Sequence, residues 1–185
     1  MISHSDSVNQ EPEALEQQAL EAYRNGPIEQ ALAGFEAARQ AFAGRGDRAK
    51  AAEMANDLCV AFLKAGRASE ALAAVSETPE TFLALGDAQR AAQAYGNLGS
   101  ALEACGSLAE AEAAYRQACD RFAALGDRES ESTTWRALSQ VQLRLGRPME
   151  AIATMQSSLK ARPRATRTER LLRRILDLPL RLLGK

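Results

Sequence analysis

The sequence predicts an all-α protein. Glycine recurs at intervals of forty residues in two offset series, and apolar, small and turn residues recur in phase with it. Alanine is abundant and β-branched residues are sparse, which favours close-packed helices over strands. A fixed period of this length is typical of stacked repeats, so we expect an array of about four helical hairpins.

The two glycine series mark the turns. A glycine just beyond a helix end adopts the left-handed conformation at little steric cost, and an aspartate after it can cap the next helix. Asp47, Asp87 and Asp127 follow the glycines of one series. Each unit is therefore expected to contain two helices of about eighteen residues. The glycines are Gly46, Gly86 and Gly126 in one series, and Gly26, Gly66, Gly106 and Gly146 in the other.

The chain is expected to have three parts. A polar leader, residues 1–10, shows no periodicity and is predicted to be disordered. The repeats are expected over residues 11–159, and a tail of different character covers residues 160–185. The predicted repeat units are approximately 11–50, 51–90, 91–130 and 131–159.

The second unit departs from the pattern. Pro79 falls inside its second helix, where it removes a backbone hydrogen bond. We expect a kink or a restart near residues 76–79, with Thr78 as a cap and Pro79 in the first turn that follows. In the first helices, Cys59 occupies the position of Gly99 and Ser139, which predicts a slot for small packing residues.

The unit resembles a tetratricopeptide repeat, and its length of forty residues resembles the long repeats of kinesin light chain. The third unit fits best, with Tyr95, Leu98, Gly99 and Leu102 in its first helix and Ala111, Tyr115 and Ala118 in its second. The resemblance implies a right-handed superhelical solenoid whose first helices line a concave groove. Members of the family usually hold peptides in that groove.

The resemblance also implies which side chains face the groove. Asn97 lies where family members often place an asparagine that bonds a ligand's main chain, although an asparagine on a helix face is often only solvated. Arg136 and Arg144 would contact an acidic side chain of a ligand, or would simply be solvated. In the second unit the set is Glu53, Asn56, Val60 and Leu63. The candidate partner-binding residues are Asn56, Asn97, Ser100, Arg136, Gln140 and Arg144.

Catalysis is not expected, and neither is a metal or cofactor site. Cys59, Cys105 and Cys119 lack the spacing of metal ligands, and the lone histidine, His4, lies in the leader. None of the glycine turns forms a phosphate-binding loop. No signal peptide and no run of eighteen apolar residues is found, so we expect a cytoplasmic protein.

The tail, residues 160–185, is basic where the rest is acidic. It contains nine basic and two acidic residues, a net charge of +7, against −8 for residues 1–159. The spacing of Thr166 and Glu169 predicts the start of an amphipathic helix. Nucleic acid is disfavoured because the tail lacks aromatic residues for base stacking. The candidate docking or membrane residues are Leu172, Arg173, Arg174, Ile175, Leu176 and Arg181.

Three destinations for this helix stay open. It closes the end of the solenoid, or it lies on an anionic membrane surface, or it docks into a groove of another protein or of a second copy, forming a homodimer. The leading functional hypothesis is a non-catalytic scaffold or adaptor that binds a partner peptide in the concave groove. The alternative is a peripheral membrane-associated assembly factor anchored by the tail.

Overall fold

A computed structural model describes residues 11–161 of the chain. The predicted leader and almost all of the tail, with its docking residues Leu172, Arg173, Arg174, Ile175, Leu176 and Arg181, lie outside the described residues. Within residues 11–161, no helix is long and apolar enough to cross a membrane.

The described residues form nine helices and no strand, which confirms the all-α class. Five of the helices contain 17 or 18 residues, close to the predicted length. They are α1 (Pro12–Asn25), α2 (Ile28–Gly44), α3 (Arg48–Lys64), α4 (Ala68–Val75), α5 (Thr78–Ala84), α6 (Ala88–Ala104), α7 (Leu108–Leu125), α8 (Arg128–Arg144) and α9 (Pro148–Ala161).

Six turns between helices share one geometry. In each, a glycine just beyond the helix end has a φ between 73° and 83°. At the end of α2, the Gly46 N–H donates to the Ala43 carbonyl and the Asp47 N–H donates to the Phe42 carbonyl, both at 3.0 Å. This pair of bonds is a Schellman motif, which satisfies the last helical carbonyls. The same two bonds recur at Gly66, Gly86, Gly106, Gly126 and Gly146.

Gly26, at the end of α1, is the exception to this geometry. Its φ of −115° and ψ of −174° are those of extended backbone. Pro27 follows it, and a proline ring pushes the preceding residue into the extended region. The periodic position of Gly26 is therefore kept while its turn conformation differs.

The aspartates after three of the glycines cap helices as predicted. The side chains of Asp47, Asp87 and Asp127 each accept a hydrogen bond from the backbone N–H three residues further on, at 3.0, 2.9 and 3.1 Å. These bonds satisfy N–H groups that have no partner inside the helix.

The predicted break in the second unit is present. Helix α4 ends at Val75 and α5 begins at Thr78, with Pro79 in its first turn. The expectation that Thr78 caps α5 was wrong, because Glu77 holds the N-cap position and makes no side-chain bond there. The Thr78 hydroxyl instead lies 3.0 Å from the Val75 carbonyl oxygen, at the end of α4.

Two compact units, Met1–Asn97 and Leu98–Lys185, divide the chain, and α6 contributes residues to both. In the first, α2 packs on α1 and α3, and α3 packs on α4 and α5. The core of this unit includes Phe35, Phe42 and Met54, each at most 2% exposed.

In the second unit, α8 packs between α7 and α9. Its core includes Tyr115, Leu138 and Val141, with Trp135 packed against it. The predicted slot for small residues is confirmed in both units, since Cys59 and Ser139 are at most 1% exposed and Gly99 is buried.

Candidate partner-binding cleft

A cleft of about 270 Å³ lies in the first unit between α3 and α6. Two of the candidate residues, Asn56 and Asn97, line it together. The Asn56 side chain comes from the middle of α3, and Asn97 lies past the middle of α6. The full lining is Glu53, Asn56, Asp57, Phe82, Arg90, Gln93 and Asn97.

Helical periodicity explains why these side chains share one face. Residues three and four positions apart lie on the same side of an α-helix. Glu53, Asn56 and Asp57 have this spacing on α3, and Arg90, Gln93 and Asn97 have it on α6.

The floor of the cleft is apolar. Phe82 of α5 is fully buried and packs in a cluster with Ala52 of α3 and with Ala91 and Ala94 of α6. The small alanine side chains let the two helices approach the aromatic ring. The polar side chains of the cleft therefore lie next to a close-packed apolar cluster.

Asn56 is held in place at the wall of the cleft. Its side chain is 9% exposed, and its amide lies 3.0 Å from the hydroxyl of Thr78. Thr78 is itself buried, at 4% exposed. The break between α4 and α5 thus positions a residue that fixes one of the two asparagines.

Asp57 has no hydrogen-bond donor among the residues that the structure describes. Burial first, and then the nearby carboxylates of Glu53 and Glu16, raise the pKa of its carboxyl group to about 6, while Lys50 opposes them. A carboxylate taken out of water without a partner is costly, which is why its charged form is disfavoured.

The other charges at the cleft are paired with one another. The Glu53 carboxylate lies 3.4 Å from the Lys50 ammonium and 3.2 Å from the Arg90 guanidinium. Lys50 also bonds Glu16 of α1 at 2.9 Å, and Arg90 bonds Asp87 at 3.1 Å. Asp57 is therefore the carboxylate of the cleft lining that has no ion-pair partner among the described residues.

In the second unit, Ser100 and Arg144 belong to one hydrogen-bonded network. The Ser100 hydroxyl lies 3.1 Å from the Tyr115 hydroxyl, which donates to Glu103 at 3.1 Å. Arg144 donates to the other oxygen of Glu103 at 2.9 Å. Both candidates are thus engaged within the protein, and the Arg144 cation already faces a carboxylate.

Arg136 and Gln140 lie on α8, where both side chains are exposed. Their spacing of four residues puts them on one side of the helix. The structure thus places the six candidates in three settings, which are the cleft, the Tyr115 network and an exposed stretch of α8.

Sequence reasoning missed Asp57 as a residue of this face. It had selected Glu53, Asn56, Val60 and Leu63 from α3 and passed over Asp57 between them. The missed signal was the repeat itself, because Asp57 precedes Asn97 by forty residues and occupies the same position of the unit.

Comparison with known proteins gives a family match over part of the chain. Residues 81–164 match the family model described as tetratricopeptide repeat. A comparison with curated proteins finds no match.

Two solved structures share the fold. BtubC (BKLC) from P. vanneervenii is 23% identical with a TM-score of 0.73, covering 86% of this chain and 70% of its own. A putative kinesin light chain from Podosopora anserina with nearly identical TPR-like repeats is 16% identical with a TM-score of 0.72, covering 85% of this chain and 79% of its own. The resemblance inferred from the sequence is confirmed.

Proposed function

We propose that this tetratricopeptide-repeat protein is a non-catalytic scaffold that binds a segment of a partner protein at the cleft between α3 and α6. The repeat is commonly a protein–protein interaction module. The observation that carries the proposal is the cleft itself, which Asp57 and Asn97 line together above the buried Phe82.

An extended peptide suits such a cleft. The Asn97 side chain offers one acceptor and one donor group, which match the N–H and C=O of a peptide main chain. Such main-chain bonds give affinity without demanding a particular sequence, while neighbouring pockets select side chains. We assign main-chain recognition to Asn97, with Asn56 as a fixed wall of the cleft.

The two buried thiols are poor nucleophiles. Burial raises the pKa of Cys59 to about 12, and burial together with the nearby carboxylates of Asp120 and Glu131 raises that of Cys119 to about 12. A thiol reacts as the thiolate, so both groups are inert near neutral pH.

Within the second unit, the proposal assigns further partner contacts to Arg136 and Gln140. Their exposed side chains on the first helix of a hairpin are open to a ligand. Arg144 contributes less, because its ion pair with Glu103 at 2.9 Å would have to be broken or shared.

The test is quantitative co-purification from the cell in which the protein is native. Asn97→Ala is compared with the wild type and with Gln30→Ala, a matched loss of an exposed amide on α2 away from the cleft. We expect a set of partners to be depleted with Asn97→Ala and retained with Gln30→Ala. Equal recovery of every partner with both variants, at matched thermal stability, would contradict the proposal.

A further inference from the structure

We propose that the cleft binds a basic side chain of the partner segment, lysine or arginine, with the Asp57 carboxylate as its counter-ion. This inference rests on the proposed function and names the class of residue that the partner contributes. Nothing in the family match or the fold assigns a charge preference to this site.

The charges of the cleft favour a cation. Its lining contains the carboxylates of Glu53 and Asp57 and the guanidinium of Arg90. Glu53 forms an ion pair with Arg90 at 3.2 Å, whereas Asp57 forms no ion pair with a described residue. A ligand cation restores the missing partner, and charge-assisted hydrogen bonds are the stronger kind. An acidic ligand would add a like charge beside Asp57.

An ammonium group matches the acceptors of the cleft. It has three donors and no acceptor. The cleft offers the Asp57 carboxylate together with the side-chain carbonyl of Asn97.

The charge state of Asp57 sets the pH at which this cation binds. The groups that face it are Glu53 and Lys50 on its own helix, Glu16 on α1 and Arg90 on α6. With a pKa of about 6, the carboxyl group is neutral in mild acid and charged at neutral pH. Cation binding therefore strengthens as the pH rises through 6.

The experiment is an NMR titration of the full chain with small probes. Nα-acetyl-lysine methylamide carries the proposed cation, Nα-acetyl-norleucine methylamide has the same stem without charge, and Nα-acetyl-aspartate methylamide carries the opposite charge. We expect the lysine probe alone to shift the side-chain amide signals of Asn56, Gln93 and Asn97. Equal shifts with norleucine, stronger shifts with aspartate, or no shift with lysine would overturn the inference.

Two variants test whether the lysine probe binds at Asp57. Asp57→Asn is expected to weaken binding of the lysine probe about tenfold, the size of a lost charge-assisted hydrogen bond. Asp120→Asn, an exposed aspartate of α7, is the matched control and is expected to leave binding unchanged. An unchanged dissociation constant in Asp57→Asn would refute the role of this carboxylate.

The two proposals fail in different ways. If the lysine probe does not bind while Asn97→Ala still loses cellular partners, the scaffold function stands and the charge preference is wrong. If the probe binds at Asp57 but no partner depends on Asn97, the cleft takes cations and the proposed scaffold function is wrong.

Discussion

Gly99 and Tyr115 illustrate how single residues set the packing of a hairpin. A Cβ atom at Gly99 would lie 2.7 Å from the Tyr115 ring, which is too close for any side chain. Tyr115 is held by its bonds to Ser100 and Glu103, so it has little room to move. Forty residues earlier the same two positions hold Cys59 and Val75, both fully buried. The larger Cys59 in place of Gly99 on the first helix is thus accompanied by the smaller Val75 in place of Tyr115 on the second.

Substitution of two glycines in α6 tests this contact. Gly99→Ala is expected to lower the free energy of unfolding by about 1–3 kcal/mol, because the core is overpacked. Gly96→Ala, on the same helix with no atom within 4 Å of the added Cβ, is expected to raise it by about 0.5–1 kcal/mol through helix propensity. Urea denaturation measures both. Equal stabilisation by the two substitutions would show that the contact is absent.

Tertiary packing limited which structural roles could be predicted for single residues. Pro79 predicted the break in the second unit because proline acts on its own backbone. Thr78 was assigned to the wrong helix end, since its hydroxyl is taken by Val75 and Asn56, which local sequence does not reveal. Asp57 could have been predicted as a residue of this face, because the forty-residue period aligns it with Asn97.

At the scale of elements, α7 and α8 are joined by a polar contact where earlier hairpins have apolar residues. Glu112, at 7% exposed, accepts hydrogen bonds from Gln142 of α8 at 3.2 Å and from Arg147 at 2.9 Å. The equivalent positions one unit earlier are Leu72 and Leu102. The side-chain carbonyl oxygen of Gln142, Oε1, is buried without a hydrogen-bond partner among the described residues. The contact therefore satisfies the amide nitrogen of Gln142 and leaves its oxygen unsatisfied.

This contact predicts an ordered series of stabilities. Glu112→Leu alone is expected to lower the free energy of unfolding by about 1–3 kcal/mol, because it leaves the buried Gln142 amide without its acceptor. The double variant Glu112→Leu with Gln142→Leu removes the buried amide together with its acceptor and is expected to recover most of the loss. Thermal and urea denaturation measure the series. A double variant less stable than the single one would contradict the account.

At the scale of the whole molecule, the repeat period predicted the class of fold and the positions of most turns. Periodicity succeeds here because each glycine turn is set by local chemistry, as the six Schellman motifs show. The cleft was harder to predict, because it combines Asn56 and Asp57 of α3 with Arg90 of α6 and Phe82 of α5. The spacing of residues along the chain does not predict which side chains of three different helices will lie together.

The charge opposition between the tail and the rest of the chain, +7 against −8, is a property of the sequence alone. The tail residues from Arg162 onward lie outside the described residues, so capping, membrane attachment and homodimer formation stay predictions. Binding is proposed at the first unit, where a carboxylate without an ion-pair partner among the described residues lines a cleft. Natural proteins often keep such destabilising groups where a ligand will complete them.

The most direct test of this claim is the pH dependence of the free energy of unfolding for the wild type and Asp57→Asn. A carboxyl group with a raised pKa costs stability when the pH exceeds its unfolded value of 3.8, and the full cost is reached above about 6. We expect Asp57→Asn to be more stable than the wild type at pH 7.5, by on the order of 1–3 kcal/mol, and equal to it at pH 3.5. A variant that is less stable at pH 7.5 would show that Asp57 already has its partner within the protein.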